Sequence, residues 1–370
     1  MKNIVNFIRE FYLLDAKRNV NLDLIRSIAI IAVFNFHFRG GYEHTLYNVQ
    51  AATSFSEKLY YPMANFFLNI MSASFLGVDM LFILSGYLAY ISGQKAQGFW
   101  SYISQRYVRL VPVVFFVVLL PGLGMHPAKD YFDNLLFLKL FRESKYLNFV
   151  TWIITYTVYF YIWIGITLIV IKNHKIRSIV GLVLLTLIML PGFYPIPDKV
   201  RFLGFFYGIL AAIITSDNAT LRKDKSNRFA RILFFPALLA VIIIMSQLSR
   251  HWPTIESTPL YHNVFFSCVH VLFFILFINA VIRQPVAVFL PKVSAPISIF
   301  AMISYSFFIL HATYTDKNNP LMVKLIHLAQ FFSLESPIVH YILAFFLTAA
   351  LASVIFYFLE RPYFTRKSAK

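Results

Sequence analysis

Arg26 and His37 lie in one hydrophobic stretch, NLDLIRSIAIIAVFNFHFR, that runs from Asn21 to Arg39. They are eleven positions apart, which on a helix is roughly 1100°, within about 20° of three full turns. The two side chains therefore share a face, about 16 Å apart along the axis. An arginine inside an apolar span costs roughly 2.5–3.5 kcal/mol on insertion scales. A cation aligned with an imidazole there points to a solvated interior path. Taken singly, each has a plainer reading: Arg26 snorkelling to the surface, and His37 satisfied at an interface.

A carboxylate follows in FLGVDMLFILSGYLAY, at Asp79. If this second span runs back across the membrane, His37 and Asp79 lie at nearly equal depth, about 22 and 21 Å from the same surface. A hydrogen bond between them would fix the imidazole tautomer and raise its basicity. Gly77, Ser85 and Gly86 would allow the close helix approach this needs. The alternative is a structural polar pair that holds two helices together.

Arg106 and Arg109, three apart on one face, stand where a third span leaves a basic turn. Such a pair can hold phosphates through charge-assisted, bidentate hydrogen bonds, or can meet lipid headgroups. SYSFFILH (304–311) sets His311 seven residues after Ser304, on nearly the same face and beside Tyr305. His311 could touch a substrate from outside, or be an interfacial histidine. Glu360-Arg361-Pro362 reads as a local ion pair. His270, Asn279 and the ring-rich segment with Trp152, Tyr156, Tyr159, Tyr161 and Trp163 read as packing or interface anchoring. No spacing resembles a metal-ligand set.

The elements that must position these residues are membrane helices. Of 370 residues 59% are hydrophobic and only 13% charged, where a globular chain carries about a quarter charged residues. The mean hydropathy is +0.68. Apolar runs of about 20 residues recur from end to end, each long enough to cross a bilayer. The expected fold is an all-α, polytopic transmembrane bundle of about ten spans. They fall near 22–39, 64–92, 108–122, 149–171, 178–193, 200–215, 231–249, 262–282, 294–314 and 337–359.

Polar loops are expected at 40–61 and 216–228, and an amphipathic loop at 125–147. Roughly twice as many Lys and Arg fall on the side of the termini as on the other, which places both termini in the cytoplasm. The net charge of +17 then reflects cytoplasmic faces against anionic lipid rather than nucleic-acid binding. The single Cys268 excludes an intrachain disulfide. Ile4, Phe7, Ile8, Phe11 and Leu14 recur at helical spacing, as in a helix lying on the cytoplasmic face. Charges at Arg9, Asp15, Lys17 and Arg18 argue against a cleavable leader. The expected divisions are an N-terminal amphipathic segment (1–21), a membrane domain (22–360) and a basic cytoplasmic tail (361–370).

Taken together, the motifs resemble the acyltransferase 3 family of integral-membrane acyltransferases. The resemblance rests on Arg-x10-His (Arg26, His37), GVDMLFILSG (77–86), RYVRLVP (106–112), SYSFFILH (304–311) and the terminal ERP. It extends from residue 22 to 362, and implies a stand-alone member with no fused SGNH hydrolase-like domain. It implies transfer of an acyl group, most often acetyl, from cytosolic acyl-CoA to a hydroxyl of an extracytoplasmic glycan such as lipopolysaccharide O-antigen. The implied location is the bacterial inner membrane.

On this reading Arg26, Arg106 and Arg109 anchor the acetyl-CoA phosphates. His37, oriented by Asp79, acts as general base or transient acyl carrier. His311, Ser304 and Tyr305 contact the acceptor. The rival reading is a proton-coupled transporter or flippase, with Arg26, Asp79 and His37 as a proton relay. A non-catalytic scaffold would leave the buried charges unexplained.

Overall fold

The computed structural model describes residues 7–8, 10–14, 19–40, 71, 73–119, 127–138, 147–148, 150–170, 173, 176, 180, 199–217, 236, 239, 259–283, 294–315, 323–324 and 337–368. Every regular element among the described residues is helical. In chain order these are α1 (Val20–Gly40), α2 (Gly77–Gln94), α3 (Phe99–Val114), α4 (Ala128–Leu135), α5 (Thr151–Val170), α6 (Leu203–Asp217), α7 (Pro259–Arg283), α8 (Ser294–Tyr314), α9 (Pro337–Ile355) and α10 (Arg361–Ser368). Short 3-10 turns, Ala73–Leu76 and Lys199–Phe202, lead into α2 and α6. Wider π-helical turns, Phe115–Leu119 and Phe356–Glu360, extend α3 and α9.

Among the described residues six helical stretches are long and apolar enough to cross a membrane: Val20–Arg39, Ser74–Gln94, Phe99–Leu119, Tyr261–Ile282, Ser294–Thr313 and Val339–Thr365. Thr151–Thr167 and Val200–Ser216 are shorter apolar helices. Rings such as Phe346 and Phe358, 66% and 68% exposed, suit a hydrocarbon surround. The spans expected at 178–193 and 231–249 lie outside the described residues apart from isolated positions, as do residues 64–70 and the loops 41–61 and 218–228.

Two expectations need correction. The third span begins at Phe99, not at residue 108, so Arg106 and Arg109 sit within a helix rather than at its entrance. Its polar residues mislead because they occupy one flank: Ser104 and Gln105 are exposed, while Tyr102, Leu110 and Val113 are buried. Pro112 then takes one N–H out of the helical ladder, and the chain widens into the π turn three residues later. The segment expected as a loop at 125–147 contains α4. There Asp130, Asp133 and Asn134 face inward, and Leu135 O accepts a hydrogen bond from Tyr107 at 2.9 Å.

Contacts between helices give their directions. Asp79 meets Arg201 and Phe82 stacks on Phe205 at 4.5 Å, so α2 and α6 run parallel. Phe75–Phe266 and Tyr87–Phe277 ring contacts, at 6.3 and 5.1 Å, set α7 parallel to α2 as well. Tyr156–Phe202 and Phe160–Phe206, at 4.9 and 6.1 Å, do the same for α5 and α6. On the other side, α1 and α8 run parallel through Asp23–Ser298, Phe34–Phe307 and His37–His311. The N-terminal segment lies against the last span: Phe11 stacks on Tyr357 at 4.7 Å and Tyr12 Oη donates to Ser353 at 3.1 Å.

Small residues make the closest approaches possible. A Cβ added at Gly86 would fall 2.0 Å from the Phe205 carbonyl oxygen, and one at Gly208 2.1 Å from that of Ile83. Either clash is with backbone, which cannot swing aside. Gly86→Ala is therefore expected to lower stability by about 1–3 kcal/mol, read by thermal unfolding in detergent. Gly165→Ala meets side chains rather than backbone, the Phe99 ring at 2.8 Å and Ile103 at 3.4 Å, and should cost less; equal losses would show that the α2–α6 contact is not special.

Candidate functional site

A cavity of about 120 Å³ lies among α1, α2, α3, α5 and α8. It is lined by Arg26 and Ile30 of α1, Leu81, Leu84, Ser85 and Leu88 of α2, Arg106, Arg109 and Leu110 of α3, Ile154, Thr157 and Tyr161 of α5, and Ser304, Tyr305 and Phe308 of α8, among others. Five of the residues expected to bind donor or acceptor thus converge: Arg26, Arg106, Arg109, Ser304 and Tyr305.

The arginines are not equivalent. Arg106 is held by the protein itself, donating to Leu88 O at 3.3 Å and to the Ser92 hydroxyl. Its guanidinium lies over the rings of Tyr102 and Tyr161, at 5.4 and 4.8 Å. Arg109 lies over Phe364 at 5.2 Å, and its Nε is buried with no hydrogen-bond partner. A buried, unsatisfied guanidinium nitrogen at a cavity wall is a ready donor for an anion. Ser304 and Tyr305 reach the cavity with their hydroxyl protons already given away, to Ala301 O at 2.7 Å and Leu110 O at 2.9 Å. They can only accept hydrogen bonds there.

His37 and His311 do not line the cavity. They pair one turn beyond Phe308, with His37 Nδ1 2.7 Å from His311 Nε2. His311 Nδ1 lies 2.5 Å from the Phe308 carbonyl oxygen. A carbonyl only accepts, so in the neutral ring His311 Nδ1 carries the proton and Nε2 the lone pair. The contact between the rings is then a hydrogen bond donated by His37 Nδ1, which puts the lone pair of His37 on Nε2. His311, expected to contact substrate or to sit at an interface, is hydrogen-bonded to His37.

The expected hydrogen bond between His37 and Asp79 does not form. Asp79 is fully buried and takes a bidentate ion pair from Arg201, Nε to Oδ1 at 3.1 Å and Nη2 to Oδ2 at 2.7 Å. His270 Nε2 adds a bond to Oδ1 at 3.1 Å. Both depth and rotation separate them: Phe36 meets Phe75 at 5.8 Å, so Asp79, four residues further along α2, lies deeper than His37. Gly77 faces α1, where its Cβ would strike Ala29 O at 2.4 Å. Asp79, two residues on, is turned by about 200° and faces α6 and α7.

Sequence reasoning set His270 aside as packing and gave Arg201 no role. The signal was available, because Asp79 and Gly86 are seven residues apart and so share the face that meets α6. The guanidinium is walled by Phe266, Trp152 and Phe75 at 5.1, 5.8 and 5.9 Å. This is a clasp between three helices, away from the arginine-lined cavity.

No curated protein and no solved structure matches this chain. The family model described as an acyltransferase domain, that of acyltransferase 3, matches residues 19–357, nearly the whole length. With its apolar spans and this match, the chain belongs to the acyltransferase 3 family and is a multi-pass membrane acyltransferase.

Proposed function

We propose that this acyltransferase moves an acetyl group from cytosolic acetyl-CoA to a hydroxyl of an extracytoplasmic glycan, such as lipopolysaccharide O-antigen, in the bacterial inner membrane. The observation that carries this reading is the convergence of Arg26, Arg106 and Arg109 on one cavity, a turn short of the His37–His311 pair. Three cations at an apolar cavity suit a polyphosphate donor. The cavity, about 120 Å³, favours a short acyl group, since pockets that enclose whole small molecules run to roughly 300–1,000 Å³.

In the proposed reaction Arg109 and Arg26 grip the phosphates while Arg106, fixed between its tyrosines, supplies standing positive charge. His37 Nε2 takes the proton of the acceptor hydroxyl as its oxygen bonds to the acyl carbon. His311 holds the ring in that tautomer through Nδ1–H. As the carbon–sulfur bond breaks, the imidazolium returns the proton to the departing thiolate. Asp79 has no part in this step. Ser304 and Tyr305 accept hydrogen bonds from whatever occupies the cavity.

The donor is cytosolic if both termini are, in the ten-span arrangement with the membrane domain at 22–360. The parallel directions of α5, α6 and α7 support that reading.

The test uses full-length protein in nanodiscs with radiolabelled acetyl-CoA. Arg109→Ala is expected to raise the donor KM at least about tenfold, the loss of one charge-assisted contact. If neither Arg109→Ala nor His37→Ala changes binding or turnover, the donor reading fails and proton-coupled transport becomes the better account.

A further inference from the structure

Glu360 closes the π-helical turn between α9 and α10, and that turn packs against both α3 and α8. Its carboxylate is wholly buried. Ser306 Oγ donates to Oε1 at 2.6 Å, and Oε2 makes no hydrogen bond. The cations whose charge reaches it are Arg109 and Arg26, both in the cavity wall. Arg109 Nε is likewise buried without a hydrogen bond. A carboxylate and a guanidinium thus act on each other through space, each with an uncommitted polar atom, and no hydrogen bond joins them.

This arrangement is unusual for a buried ion pair. Burying opposite charges normally ends in direct contact, because contact offsets the desolvation of both. Here one carboxylate oxygen is taken by Ser306 Oγ instead. The carboxylate lies within reach of the arginines' charge, while Arg109 Nε makes no hydrogen bond and remains available to another anion. π turns widen a helix at single positions and recur at functional sites; this one places a carboxylate near the cation cluster at the end of a helix that packs along α8.

We propose that Glu360 is a positioning residue for the donor: a tethered counter-anion that balances Arg109 and Arg26 between turnovers and weakens their hold on phosphate enough for CoA to leave. The inference rests on the reading of the arginines as the donor's anchor. It assigns Ser306 the task of keeping the carboxylate from closing onto Arg109.

The two residues predict effects of opposite sign, which a merely structural role cannot give. Glu360→Gln keeps the shape and can still meet Ser306, but removes the competing charge. CoA should then bind about tenfold more tightly, with slower release, at the lower end of ordinary coupling between sites. Ser306→Ala keeps the charge but frees the carboxylate to pair with Arg109, so CoA should bind more weakly by a similar factor. Both are measured by calorimetric titration of CoA into the full chain in nanodiscs, at low and at moderate salt.

A Glu360→Gln affinity within twofold of the parent, or shifts of the same sign in both variants, overturns the proposal. If Glu360→Gln does not accumulate, Ser306→Ala decides alone: weaker binding supports the counter-anion and unchanged binding overturns it. Arg109→Met separates the two levels. If it loses CoA binding while neither of the other variants moves, only this inference fails; if it binds CoA normally, the donor reading fails with it.

Discussion

His37→Ala is expected to lower acyl transfer by about 10²–10⁴-fold, the usual worth of a positioned general base, and to leave CoA binding within about twofold. The two readouts separate because the imidazole lies a turn beyond the arginine-lined cavity and does not touch it. The ring is also held in one orientation from α8. His311 receives its Nδ1 proton at 2.7 Å, and His311 is itself fixed by the Phe308 carbonyl.

His311→Ala should therefore produce a smaller loss than His37→Ala, since the base survives but its tautomer is no longer specified. His311→Gln, whose side-chain oxygen can accept from Nδ1–H, should recover part of it. Radiolabelled acetyl transfer at saturating donor measures all three. Full turnover in a well-folded His37→Ala variant would remove the imidazole from the mechanism.

The second large effect concerns stability. Arg201→Met leaves Asp79 as a fully buried carboxylate with only His270 beside it, and should destabilise the protein by about 3–5 kcal/mol. The loss comes from an uncompensated charge, not from missing contacts, because methionine fills most of the same volume among Phe75, Trp152 and Phe266. It follows that the double variant Asp79→Leu with Arg201→Met should recover much of the loss, since a buried pair replaced by apolar groups is often neutral. Unfolding in detergent, by heat or denaturant, gives the comparison. A double variant no more stable than Arg201→Met alone would mean that the clasp is needed for its hydrogen bonds and not for charge balance.

Hydropathy made the helical, membrane-crossing character legible, because runs such as 262–282 and 294–314 have no other stable solution. The grouping of Arg26, Arg106 and Arg109 came with the family resemblance, while spacing alone paired only Arg106 with Arg109 and placed them at a helix entrance that in fact lies at Phe99. Partners were harder. Depth along a helix can be counted from a sequence, but the direction a side chain faces depends on which neighbour the helix chooses. Asp79 was set too near the level of His37 and on the wrong side, because its helix seats Gly77 against Ala29 and turns Gly77, not the carboxylate, toward α1. His311 was visible as an isolated imidazole. Nothing in its local pattern says that α8 runs beside α1, which is a fact about chain routing. Glu360 looked like the end of a helix, and only the extra residue in its π turn carries it inward.

The parallel seating of α1 against α8 bears on how the enzyme is made. His37 and its partner His311 are 274 positions apart. At about 5–20 residues per second, a ribosome needs roughly 15–55 s to travel from one to the other. During that interval α1 is already synthesised and its imidazole has no orienting neighbour. A chain released early, or one whose later helices fail to insert, would keep the arginine–histidine face and lack the ring that orders it. On the proposed mechanism, full acyl transfer therefore waits until α8 has docked beside α1, and unfinished copies carry a base whose tautomer is not yet specified.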